Sequence, residues 1–134
     1  MKKFDHFKSN LNVLALADQE DLTNEFIIGG IIDKFFIQFE LGWKVLKELL
    51  NYEGQSISAS GSPKMILKSA FTIYDFIDEN VWLEMLRARN DMTHIYDALA
   101  ARRLVDAVLQ RYIPEFQKMK EGIESFYKDE INNL

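Results

Sequence analysis

The chain has 134 residues, 48% of them hydrophobic and 13% aromatic, which suffices for one domain with its own core and excludes a disordered chain. Cysteine is absent, which excludes disulfides and thiolate metal sites and agrees with a reducing, cytoplasmic setting. With 16 Lys and Arg against 21 Asp and Glu, the formal charge of −5 repels a polyanion at long range and excludes nucleic-acid binding by bulk charge.

Met1-Lys2-Lys3 leads into Phe4-Asp5-His6 rather than an apolar signal core. Phe4, Phe7, Leu11 and Leu14 recur at three and four residues and predict a first helix, with His6 facing solvent. Residues 18–24 form a polar break rich in cap-type side chains. Ile28, Ile32, Phe35, Phe39, Trp43, Leu46 and Leu50 then repeat the helical spacing over a long second helix, the expected centre of the fold. Ile27, Ile31, Phe36 and Leu49 widen its stripe so that it touches neighbours on two sides. The longest apolar run, 26–32, holds two glycines and falls far short of the roughly 20 residues a membrane span needs. Gly29-Gly30 reads as a place of close helix packing, Glu40 and Lys44 as a surface pair, and the Phe35, Phe39 and Trp43 stripe as core.

Gly54 sits where a helix C-cap belongs, and the Ser- and Gly-rich stretch 55–61 predicts the one long loop. Ser62-Pro63 reads as N-cap and first helical residue of a shorter helix to about Phe71, with Ile66, Ala70 and Ile73 inward. Asp78 is the cap expected for a fourth helix carrying Trp82, Met85 and Leu86, and Asp97 for a fifth carrying Leu104, Val105, Val108 and Tyr112. Pro114 predicts a kink or a fresh start before a last helix with Phe116, Met119, Ile123 and Phe126. No stretch alternates as a strand. The expected architecture is all-α: an antiparallel, up-and-down bundle of four to six helices in a single domain, residues 1–134, soluble and without a membrane segment.

The fourth helix leads into Arg89-Asn90-Asp91-Met92-Thr93-His94-Ile95-Tyr96, which holds the one histidine away from the N-terminus. Arginine offers a permanently charged planar fork that suits phosphate, and histidine titrates near neutral pH without help. In a functional reading His94 is the general acid or base, Arg89 holds phosphate charge, Asn90 and Thr93 orient groups, and Tyr96 adds a hydroxyl at the same mouth. The same residues also suit an ordinary helix end, where Asn, Asp and Thr stop a helix and Arg and His favour its C-terminus. On one regular helix Arg89 and His94 diverge by about 140°, so either the helix unwinds around residues 91–93 or a second copy completes the site across a two-fold axis. Two histidines and no cysteine leave no zinc set, and neither a His-Glu-x-x-His nor a phosphate-loop pattern occurs, so neither metal nor cofactor is expected.

Phe35-x-x-x-Phe39-Glu40-Leu41-Gly42-Trp43-Lys44, then Ser62-Pro63, then Trp82-Leu83-x-Met85-Leu86-x-x-Arg89-Asn90-x-x-Thr93-His94-x-Tyr96-Asp97 resembles the nucleotidyltransferase substrate-binding family. That family lies within the wider HEPN (higher eukaryote and prokaryote nucleotide-binding) group, and the resemblance runs from about Ile31 to Phe126. It implies a dimerising helical bundle that partners a small, separately encoded nucleotidyltransferase, with Asn90, Thr93, Tyr96 and Asp97 bordering a substrate or nucleotide. It also implies, from related toxin and antitoxin pairs, a metal-independent ribonuclease in which Arg89 and His94 are catalytic and which is silenced by adenylylation of Tyr96. Where relatives carry Arg-Asp and later Arg and Glu along the second helix, this chain has Ile28-Gly29, Lys34 and Phe36.

Overall fold

The computed structural model describes residues 1–55, 61–92 and 97–134. Among them there is no strand. The helices are α1 (Lys2–Leu14), α2 (Glu25–Tyr52), α3 (Pro63–Ile73), α4 (Glu79–Asn90), α5 (Ala98–Ala107) and α6 (Ile113–Phe126). The all-α bundle expected from the spacing is the fold. Most of the expected loop 55–61 lies outside the described residues.

Helix starts follow local chemistry. Asn24 Oδ1 accepts from the backbone N–H groups of Phe26 and Ile27 at 2.8 and 3.3 Å, and Asp78 Oδ1 does the same for Asn80 and Val81. Ser62 Oγ accepts from Met65 N–H at 3.3 Å, with Pro63 in the first turn where its missing N–H costs nothing. At the far end of α2 the N–H of Gly54 returns to the Asn51 carbonyl and that of Gln55 to Leu50, which requires the φ of +80° that Gly54 adopts.

α2, about 42 Å long at 1.5 Å per residue, is the wall on which α1, α3, α4 and α5 pack. α1 runs antiparallel to it: Lys3 pairs with Glu48, the fully buried Gln38 donates to the Phe7 carbonyl at 2.9 Å, and Asn10 donates to both Gln38 Oε1 and the Lys34 carbonyl. The core is aromatic. Phe116 meets Phe7, Phe35 and Trp82 with ring centroids 6.1, 6.2 and 5.5 Å apart, and Phe39 lies 5.9 Å from Trp82. Trp82 lies so close to α2 that a Cβ on Gly42 would stand 2.6 Å from its ring.

Three expectations need correction. Gly29 and Gly30 are exposed and a Cβ on either would meet nothing within 4 Å, so they mark no packing contact within the chain. Trp43 is only partly buried and Phe126 is 49% exposed, because α6 turns so that Tyr127, just past its end, fills the core instead. The disturbance expected at Pro114 takes the form of a π-helical turn just before it. α5 continues through a π-helical turn, Val108–Tyr112, into α6, with the N–H of Ile113 reaching the Val108 carbonyl five residues back. Proline has no N–H to offer the carbonyl four residues earlier and its ring crowds that carbonyl, so a widened turn just ahead of Pro114 absorbs both.

The C-terminus is tied down by phenols. Tyr127 donates to Glu53 at 2.8 Å, leaving Tyr74 to donate to Tyr127 at 2.5 Å. Among the described residues no buried side-chain nitrogen or oxygen lacks a partner, and no helix is long and apolar enough to cross a membrane.

Candidate functional site

Of the six residues singled out by the sequence, the structure describes Arg89, Asn90 and Asp97; Thr93, His94 and Tyr96 lie outside the described residues. α4 carries Arg89 in its last turn and ends at Asn90, with Asp91 as its cap at φ −93° and ψ 13°. The cationic side chain sits where the carbonyl ends of the helix dipole favour it. Asp97 begins the next helix, its Oδ1 accepting from the N–H groups of Leu99 and Ala100 at 2.8 and 3.4 Å. The Arg89 to Tyr96 segment is therefore not one regular helix. Once the chain leaves α4 at Asp91, the divergence of about 140° no longer applies and calls for no second copy.

Arg89 is not a free cation. Its Nε lies 2.8 Å from Glu40 Oε1, and one of its terminal nitrogens, Nη1, donates to Asn90 Oδ1 at 3.2 Å. Glu40 is in turn gripped from its own helix: Trp43 Nε1 donates to Oε2 at 3.0 Å and Lys44 Nζ lies 3.9 Å from the same oxygen. The Glu40–Lys44 pair expected from the spacing exists, but it is the weaker part of a five-residue cluster that joins α2 to the end of α4. Sequence reading missed the Glu40–Arg89 pairing because nothing local signals it. Trp43 in the i+3 position was the available clue, since a partly buried indole needs an acceptor.

Beside Glu40 lies a groove of about 390 Å³ lined by Lys3, Phe36, Ile37, Leu41 and Lys44. A second, of about 260 Å³, runs between the first turns of α2 and α5, with Ile28, Gly29 and Ile32 facing Ala98, Ala101 and Arg102 and with Glu25 at its rim. Gly29 contributes no side chain there, and among the described lining residues Glu25 and Arg102 carry the charge. Among the described residues no group of three or more His, Cys, Asp or Glu side chains could hold a metal ion.

On the other side of α4, Glu84 receives Tyr112 Oη at 2.6 Å on one oxygen and pairs with Arg111 through the other. Both partners belong to the π-helical turn, whose geometry brings consecutive residues onto one carboxylate. Burial and the Glu84 carboxylate push the Tyr112 phenol well above the ordinary tyrosine range, so it stays protonated as a donor. The end of α4 that presents Arg89 is thus pinned to α2 through Glu40 and to the α5–α6 rod through Glu84.

A search among curated proteins returned no match. A family model described as nucleotidyltransferase substrate binding protein like matches residues 2–125, well beyond the stretch whose motifs carried the resemblance. The chain belongs to that nucleotidyltransferase substrate binding protein like family.

Proposed function

We propose that this protein is the dimeric, substrate-binding partner of a separately encoded minimal nucleotidyltransferase, the two acting as a toxin and antitoxin-like pair. The observation that carries the reading is the family match over residues 2–125, which includes every residue of the Arg89 cluster and both helices that hold it. On this reading Arg89 meets the phosphate of a nucleotide or of RNA at the end of α4, and the family resemblance assigns substrate contacts to Asn90, Thr93, Tyr96 and Asp97. Asp97 serves there chiefly by starting α5, since two N–H groups already occupy its carboxylate. Co-expression with the nucleotidyltransferase of the neighbouring reading frame should give a complex that co-purifies at low salt, where charge attraction is least screened. Separate elution of the two proteins would end this reading.

A second reading is a metal-independent ribonuclease in which His94 moves a proton while Arg89 offsets charge on the phosphate. It draws support from the end of α4 at Asn90, because the turn that follows removes the geometric objection to Arg89 and His94 acting within one chain. Adenylylation of Tyr96 would set a bulky anion two residues from His94 and compete with substrate phosphate. The test is RNA cleavage in chelator by wild type, Arg89→Ala and His94→Ala, with and without the nucleotidyltransferase and ATP. Equal cleavage by all three would expose a contaminant, and none in any would leave the partner reading alone.

A further inference from the structure

We propose that Glu40 is the positioning residue for Arg89: its carboxylate, held in place from α2 by Trp43, fixes the guanidinium at the end of α4 for an incoming phosphate. The inference rests on the reading that Arg89 meets a phosphate. It adds the residue that makes a flexible side chain ready to do so.

The peg stands without its partner. Glu40 Oε2 takes the Trp43 indole N–H at 3.0 Å and lies 3.9 Å from Lys44 Nζ, both one turn along the same helix, while Oε1 faces Arg89 Nε at 2.8 Å. One oxygen is therefore committed to α2 and the other to α4. The side chains of Arg89 and Glu40 remain 33% and 30% exposed, and a pair so open to solvent contributes little to folding. What it does achieve is order: an arginine has many rotamers, and an ion pair to a fixed carboxylate selects one before any ligand arrives.

The pairing also leaves the guanidinium usable. Of five N–H groups, one on Nη1 is hydrogen-bonded to Asn90, while Glu40 meets the Nε edge as an ion pair, so a phosphate need not displace Glu40 to find donors. Two cations, Arg89 and Lys44, stand against the single carboxylate, so the cluster as a whole still attracts an anion. A carboxylate placed to block the site would act oppositely, and removing its charge would then strengthen phosphate binding. The sign of the effect separates the two roles.

The experiment uses the full chain and 5′-AMP as probe, with wild type, Glu40→Gln, Trp43→Phe, Arg89→Ala and the Glu40→Gln/Arg89→Ala double variant. Glu40→Gln should bind AMP about three- to tenfold more weakly, the cost of freezing one long side chain only on binding. Trp43→Phe should lose affinity in the same direction. The double variant should bind no worse than Arg89→Ala alone, because Glu40 acts only through Arg89. In the free protein, the Arg89 Nε–H resonance should be resolved in wild type and merge with the solvent-averaged arginines in Glu40→Gln, with the melting temperature unchanged. A Glu40→Gln protein that binds AMP as well as or better than wild type, while Arg89→Ala does not bind, overturns the role of Glu40 alone. Wild-type affinity in Arg89→Ala overturns the phosphate reading, and this inference with it.

Discussion

Glu115 shows how much a single buried side chain can hold at once. Only 6% exposed, it accepts from the Asp78 backbone N–H at 2.9 Å and from the Trp82 indole at 3.1 Å, and pairs with Lys118 at 3.0 Å. It thus closes the start of α4 against α6 while Asp78 caps the same helix. Glu115→Ala would leave the buried Trp82 indole N–H without an acceptor and free the Asp78 backbone N–H, and the expected loss is about 1–3 kcal/mol, read by urea unfolding. Glu115→Gln keeps an oxygen for both donors and should cost clearly less; equal losses would place the effect in packing instead. Neither Glu115 nor Glu40 was legible in the sequence, because a glutamate on a helix looks like a solvated residue until its partner on another helix is known. Arg89 was legible for the opposite reason: a cation in the last turn of a predicted helix, followed by helix-stopping residues and a histidine, stands out locally.

The glycines of α2 divide into two kinds. At Gly42 an added methyl would meet the Trp82 ring at 2.6 Å and Phe7 at 3.3 Å, so Gly42→Ala must push a fully buried indole aside. The expected cost is about 1–3 kcal/mol. Gly29→Ala and Gly30→Ala meet nothing, and each should stabilise the helix by about 0.5–1 kcal/mol by removing backbone freedom from the unfolded chain. Thermal melting of the three variants checks this, and a destabilised Gly30→Ala would show that the outer face of α2 is covered in solution. The sequence reading assigned close packing to the wrong pair of glycines, since a helical period places residues on a face without saying whether a neighbour is there. The π-helical turn escaped it as well: Pro114 announced a disturbance, but the residue type alone does not say whether the helix breaks or widens, and the widened turn is also held from α4 by Glu84 through Arg111 and Tyr112.

The architecture as a whole was readable because helix starts are written in short-range chemistry. Asn24, Ser62, Asp78 and Asp97 all cap as their residue types suggest. Inter-helix order was not readable, since it depends on which aromatic fits which gap. The whole molecule should also respond to alkali. Burial pushes the Tyr74 phenol up to about 12, and burial raises Tyr127 and Tyr112 further still. A folded value above the unfolded one means the folded state holds its proton more tightly, so this stability is complete below about pH 10 and is lost as pH rises through about 12. Stability to urea should fall over that interval, and phenolate absorbance of the folded protein should lag that of the unfolded chain; overlaid titrations would contradict the buried phenols. The aromatic core has one more consequence, for the chain as it leaves the ribosome. Phe7, Phe35 and Phe39 are made early, yet the rings that cover them, Trp82, Tyr112 and Phe116, come late. A nascent chain must therefore carry a bare aromatic wall until those rings emerge, which makes it a customer for chaperones and ties its yield to the pace at which the stretch from Trp82 to Phe116 is translated.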